Sequence, residues 1–509
     1  MIRRREYCFW VFVVLWLFSS PVHARNDVQA IGNAITELDV ELARSLLEKV
    51  DWDSKVLQLE RARLAIFLGD CDGAEALLAA PSLDDEPTAG MLRQLASSCA
   101  RATAASLIVD DTKNGLWVRL QDDRDRVLVP LLAEVANRAR ASVAKDLGVE
   151  LPRPLRIDLV RDLFSLSAVS GLPLTAAETT GTVAVARWGR VTMLSPRATT
   201  RGYPWADTLA HEIVHLALAR GTRDRAPLWM QEGLAKRQET RWRPPRPFDG
   251  EPDPDQVSRR ALLAGWSVGV NKLDPSIAML PTPEAASTAY AEVTSFMRYW
   301  IGVNREPALE HLFVDLKGGV ANPDSALRSV SGYDLEQWIT RWERHLTEQV
   351  AEEREAGTDV ERPHTQPGEV ELRDASSRVR LGDLLSRRGH WRAAGEQLVP
   401  AVELAPRDPG VRWRAARAIW TLEGRAAAEP FLGTTEEIDS AHGVWLALQG
   451  RRLAENGKIA EAQRAFEHAL ALDPLREECA CEGVWRTDKK AAVLPKGQAR
   501  SRLCASARH

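Results

Sequence analysis

In LAHEIVHLAL (209–218), two histidines stand four residues apart, with a glutamate directly after the first. On a helix, positions i and i+4 share one face, so His211 and His215 present their imidazoles to one point, and neutral imidazole is a good zinc ligand. Glu212 is then close enough to take a proton from a water activated by the metal without itself being a ligand. The alternative is a helix that carries two histidines and no metal. A third protein ligand separates the two readings. After the polar loop RGTRDRAP, the stretch LWMQEGLAKR opens a second helix, and sixteen residues lie between His215 and Glu232. That spacing lets the first helix end, the chain turn, and a carboxylate return to the same point. Glu232 also sits between apolar residues, Trp229 and Met230 before it and Leu234 and Ala235 after it, which is no place for an ordinary surface carboxylate. Three protein ligands with a fourth position left to water is the catalytic form of a zinc site, so the pattern predicts one Zn2+ per chain on His211, His215 and Glu232.

Such a site needs elements to position it. GLWVRLQ (115–121), LRIDLV (155–160) and RVTMLSP (190–196) read as strands, and LVPLLAEVANRARASVAKDLG (128–148) as a helix ending at Gly148. Three further helices follow in ADTLAHEIVHLALAR, WMQEGLAKRQETRW and TAYAEVTSFMRYWIG. The chain before them, 25–107, is helical in texture and has the look of a weak tetratricopeptide-type helix pair. The charged, proline-containing stretch 351–373 shows no period and reads as a linker. In 374–475, Gly382, Ala394, Leu398 and Pro406 recur as Gly450, Ala462, Phe466 and Pro474, offset by 68, twice the 34 of a tetratricopeptide repeat. Pro430 and Gly433 spoil the second helix of the unit between. The expected class is α+β: a central domain over 108–350 with helical regions at both ends and a tail over 476–509.

HEIVH followed by WMQEGLA resembles the gluzincin metallopeptidases, in particular the peptidase MA-like group related to the aminopeptidase N and thermolysin families, over about residues 110–345. The resemblance implies a peptidase in which Glu212 is general base and later proton donor. It implies an edge strand that aligns substrate, for which RVTMLSP is the candidate. It also implies an oxyanion-stabilising tyrosine at the opening of a later helix, where Tyr290 stands; a tyrosine merely packed there is the other reading, and Tyr299 lies too far into its helix. Two departures stand out. The Gly-x-Met-Glu-Asn signature for a free amino terminus is absent before His211, and the thermolysin-type aspartate four residues after the third ligand is Lys236. The partner that orients His211 is therefore unidentified.

A net charge of −4 over 509 residues gives no global field to draw in nucleic acid. Arg3, Arg4 and Arg5, an apolar run from Cys8 to Phe18 and a cleavage site near Ala24 make 1–24 a signal peptide; the run is short for an uncleaved anchor. The mature chain is then expected to be exported, periplasmic or secreted, without a membrane span. Its five cysteines group as Cys71 with Cys99, and Cys504 with Cys479 or Cys481. The substrate is expected to be a peptide or protein, with the repeats serving substrate or a protein partner. A catalytically silent repeat scaffold around a peptidase-like zinc domain is the second reading, which the intact Glu212 disfavours.

Overall fold

The computed structural model describes residues 27–473 apart from 51–53, 200–201, 274–275, 320–321, 357–368 and 434–441, together with Arg476 and Cys479. The expected signal peptide, the expected tail and the expected pairing of Cys504 lie outside the described residues. The fold is α+β, mostly helix around one five-stranded sheet: β1 (Leu107–Asp111), β2 (Leu116–Leu120), β3 (Leu155–Val160), β4 (Ala184–Arg187) and β5 (Arg190–Leu194). The sheet order is β1-β2-β3-β5-β4. β2, β3 and β5 run parallel, and the short outer strands pair antiparallel, β1 with β2 and β4 with β5. The three expected strands are β2, β3 and β5, at nearly the expected bounds. One expectation fails. RVTMLSP supplies an interior strand, β5, hydrogen-bonded on both sides, and the sheet edge nearest the metal helix is β4.

Alternation along the parallel strands assigns the two faces. Val118, Leu120, Ile157, Leu159, Val191 and Met193 pack with the helix Val129–Leu147 and the apolar side of the metal helix, Trp205–Thr222. The opposite face carries Arg119, Asp158, Arg190 and Thr192, all buried beneath the N-terminal helices. Asp158 accepts from Arg119 Nε at 2.7 Å and lies 2.7 Å from Arg190 Nε. The guanidinium groups also donate to the carbonyls of Gly69 and Ile66. Around them pack the helices Lys55–Leu68, Cys71–Leu78 and Pro87–Thr103, the last two joined by the Cys71–Cys99 disulfide.

Behind the metal helix, the helix Leu228–Gln238 crosses the long helix Pro283–Asn304 at Gly233. A Cβ at Gly233 would lie 2.3 Å from Met297 Cγ and 2.8 Å from the Val293 carbonyl oxygen, so only glycine permits this approach. Edge-on aromatic contacts fix the same crossing: Trp229 on Phe296 at 5.4 Å between ring centres, and Phe296 on Trp342 at 6.0 Å.

Among the described residues the C-terminal part forms three helix pairs: Glu369–Arg387 with Trp391–Leu404, Pro409–Glu423 with Arg425–Leu432, and Gly443–Glu455 with Ile459–Leu472. The offset of 68 has a physical cause. A Cβ at Gly382 would meet Leu398 and one at Gly450 would meet Phe466, so each glycine seats the large side chain of its partner helix. The middle pair ends early at Gly433, as expected of Pro430. The expected linker is shorter than its sequence texture suggests, because the helices Leu335–Ala356 and Glu369–Arg387 run into it from both sides.

Replacing Gly233 with alanine is expected to cost about 1–3 kcal/mol of stability in chemical denaturation, because the Val293 carbonyl is backbone and cannot turn aside. A neutral effect would show that the helices separate freely at this point.

Candidate metal centre

The metal helix delivers His211 and His215 one turn apart, with ring centres 5.1 Å from each other. Glu232, on the second helix, brings Oε2 to 3.4 Å from His211 Nε2 and 3.6 Å from His215 Nε2. The three ligand atoms lie within 4.8 Å of one another, and all three side chains are largely withdrawn from solvent. The sequence named these residues, and the structure brings them together. Glu232 Oε2 is buried with no hydrogen-bond donor. A buried carboxylate oxygen without a donor is costly, and two imidazole nitrogens with one carboxylate oxygen are the donor set that a divalent cation takes. The residues fit the expected ion.

The electrostatics agree. Burial pushes the His211 imidazole down, but the Glu232 and Glu239 carboxylates beside it outweigh this and raise it to about 10. His215 is also raised: burial again opposes charge, and Glu232 and Glu212 prevail. Burial works against the Glu232 carboxylate, yet His215 and His211 hold it well below the ordinary range. In the absence of a metal the cluster thus gathers positive charge as protons.

Glu239 is the partner of His211 that sequence reasoning missed. Its Oε2 lies 3.3 Å from His211 Nδ1, and its Oε1 accepts from Lys236. The Nδ1–H tautomer follows, which leaves the Nε2 lone pair facing Glu232 and the site. Lys236, where the resemblance would have led one to expect an aspartate, is thus bound to the carboxylate that holds His211 Nδ1. A signal existed in the sequence: Glu239 follows Glu232 by seven residues, two helical turns, so both point from the same face.

Glu212 is buried beside the ligands. Burial raises its carboxyl above the usual range, His215 and His211 pull it down, and the Ala186 backbone N–H of β4 hydrogen-bonds it. Tyr290 lies in the body of the helix Pro283–Asn304 instead of opening it; its ring centre is 6.2 Å from that of His211. Burial, together with the carboxylates of Glu232, Glu212 and Glu239, keeps its phenol protonated far above the usual range, so it is a hydrogen-bond donor at neutral pH. Tyr299 is packed elsewhere, stacked on His345 at 4.9 Å.

A third layer grips the start of the metal helix. Asp207, one turn before His211, accepts from Arg243 Nε at 2.9 Å and Nη2 at 2.7 Å, and from Trp242 Nε1 at 2.8 Å. The same buried guanidinium donates twice more to Asp249. Together with Glu239, this ties the loop after the second helix to the first turn of the metal helix.

Comparison with family models, with curated proteins and with solved structures returns no match. The functional reading therefore rests on the site.

Two outcomes follow. Glu239→Gln keeps a neutral acceptor for Nδ1–H but removes the charge, and zinc affinity measured by chelator competition is expected to fall about 10–100-fold. Because His211 is raised to about 10, a metal must displace its proton at neutral pH, so affinity should rise with pH. Zinc titrations by calorimetry at pH 7, in buffers of differing protonation enthalpy, should show at least one proton released. No release would contradict a protonated metal-free His211.

Proposed function

We propose that the protein is an exported zinc metallopeptidase of gluzincin type that hydrolyses peptide bonds, with its C-terminal helix pairs acting as tetratricopeptide repeats for substrate or a partner protein. The observation that carries this reading is the donorless, buried Glu232 oxygen facing His211 and His215, with an acid–base residue, Glu212, beside it. His211, His215 and Glu232 would hold the ion, and when bound it would supply Lewis-acid polarisation of the scissile carbonyl and a more acidic water.

The remaining chemistry belongs to the chain. Glu212 accepts the proton of the attacking water and returns it to the leaving amine. Burial raises its pKa above the usual carboxylate range, which favours its holding the proton between the two transfers. Tyr290 donates its phenolic hydrogen to the carbonyl oxygen as negative charge develops there. β4, with one side unpaired within the sheet, offers backbone groups to an extended substrate, and the Ala186 hydrogen bond sets the general base against the strand. Export is supported by the Cys71–Cys99 disulfide, which belongs to an oxidising compartment. Among the described residues no helix is long and apolar enough to cross a membrane.

The test separates ligand from base. Glu232→Ala should abolish both zinc and cleavage of a peptide library. Glu212→Gln should retain zinc, measured by atomic absorption, and lower turnover by at least about 10²-fold, the scale of a lost general base. Tyr290→Phe should lower kcat with zinc intact. A wild-type chain that binds zinc and cleaves nothing would leave the repeats as the working part of the molecule.

A further inference from the structure

The metal centre opens into a cleft of about 3000 Å³. Small-ligand pockets measure roughly 300–1,000 Å³, so this one is several times too large for a single amino-acid or dipeptide subsite. Its lining runs from His211, Glu212 and Tyr290, past Phe248, to Leu372 and Arg380 on the first helix of the C-terminal array.

What the lining does with its charges is informative. A site for a free amino terminus needs a carboxylate with no other partner, and this cleft offers none besides the buried Glu212. Asp146 is held by Arg241, Asp249 by Arg243, and Asp253 and Asp255 by Arg298. Glu251 is taken by Arg380, Glu306 by Arg237, and Glu239 by Lys236 and His211. A site for a free carboxylate needs a cation fixed in place. The lining cations outside ion pairs among the described residues include Lys145 and Arg305, which are exposed and unanchored. Apolar surface is available instead at the seam between the central domain and the array. Phe248 is 39% exposed, with the Arg380 guanidinium 5.6 Å above its ring, and the half-buried Leu372 lines the same cleft.

We propose that this cleft takes the interior of an extended polypeptide, cut as an endopeptidase cuts, and that the chain beyond the cleaved bond lies across Phe248 and Leu372 onto the first helix of the array. The inference rests on the metallopeptidase reading and adds the substrate class. Recognition is by main chain and apolar side chains, with no chain end required.

The experiment uses the full mature chain loaded with zinc and one peptide sequence in four forms. Two are short, about six residues, and two are long, about sixteen, which at ~3.3 Å per residue span roughly 50 Å. One of each length carries free termini; the other is acetylated and amidated. Binding is measured by fluorescence anisotropy on the Glu212→Gln chain, and KM and kcat on the wild type. Blocking the termini is expected to change Kd by less than about 2-fold, while the long peptide binds at least about 10-fold tighter than the short one, a difference of ~1.4 kcal/mol. Phe248→Ala should remove most of that gain, raising KM for the long peptide with kcat unchanged and leaving the short peptide unaffected; Leu372→Ser should do the same. Loss of binding on blocking the termini would overturn the proposal, as would equal affinity for both lengths. A zinc-loaded chain that neither binds nor cleaves any of the four forms would overturn the metallopeptidase reading itself.

Discussion

Three carboxylates and two imidazoles are packed together largely out of water, with one ammonium at their margin. Glu212, Glu232 and Glu239 face His211 and His215, and Lys236 is the ammonium, in contact with Glu239. With the imidazoles neutral, two negative charges remain, the charge that a divalent cation balances. Burial makes the arrangement costly without such a partner, and the neighbouring carboxylates, acting against burial, drive the histidines to hold protons. The rest of the central domain is arranged to keep these side chains converged in spite of that cost.

The means are geometric. Glycine at position 233 brings the Glu232 helix against Pro283–Asn304, which also carries Tyr290, so one close crossing sets a ligand and a hydrogen-bond donor together. Arg243 fixes the opposite end by holding Asp207, a turn before His211, and Asp249 in the following loop. The same loop meets the C-terminal array: Arg246 lies near Asp408, and Glu251 pairs with Arg380. The helix Trp205–Thr222, the second helix, the loop and the array are thus linked through charged groups, buried at Arg243 and Asp408 and exposed at Arg380.

The convergence of His211, His215 and Glu232 was legible in the sequence because helical period and a short loop dictate it: two histidines at i and i+4, then the glutamate on the next helix. β2, β3 and β5 were legible because each is an apolar run buried between neighbours, and the array was legible because Gly382 and Gly450 must admit Leu398 and Phe466. β1 and β4 left little trace. LIVDD and AVAR are short, and their pairing comes from the sheet they join, which is why the edge strand was first placed at RVTMLSP. Arg243 and Asp207 lie thirty-six residues apart with no period to join them. Glu239 could have been found by counting two turns from Glu232, but the adjacent Lys236 drew attention to a missing aspartate. Tyr290 was expected at a helix opening and lies instead in the body of Pro283–Asn304, with its ring beside His211.

The face of the sheet that carries Arg119, Asp158 and Arg190 has a consequence for how the chain divides. Two guanidinium groups share one carboxylate there, and their remaining donors are met by the carbonyls of Gly69 and Ile66 in the N-terminal helices. Sequence texture changes near residue 107, yet the hydrogen-bond network passes straight across that point. A fragment starting at β1 would keep Asp158 but leave each arginine without the carbonyl that its Nη1 donates to. The N-terminal helices are therefore a wall of the central domain and not an appendage to it, and a minimal autonomous version of that domain would have to keep them.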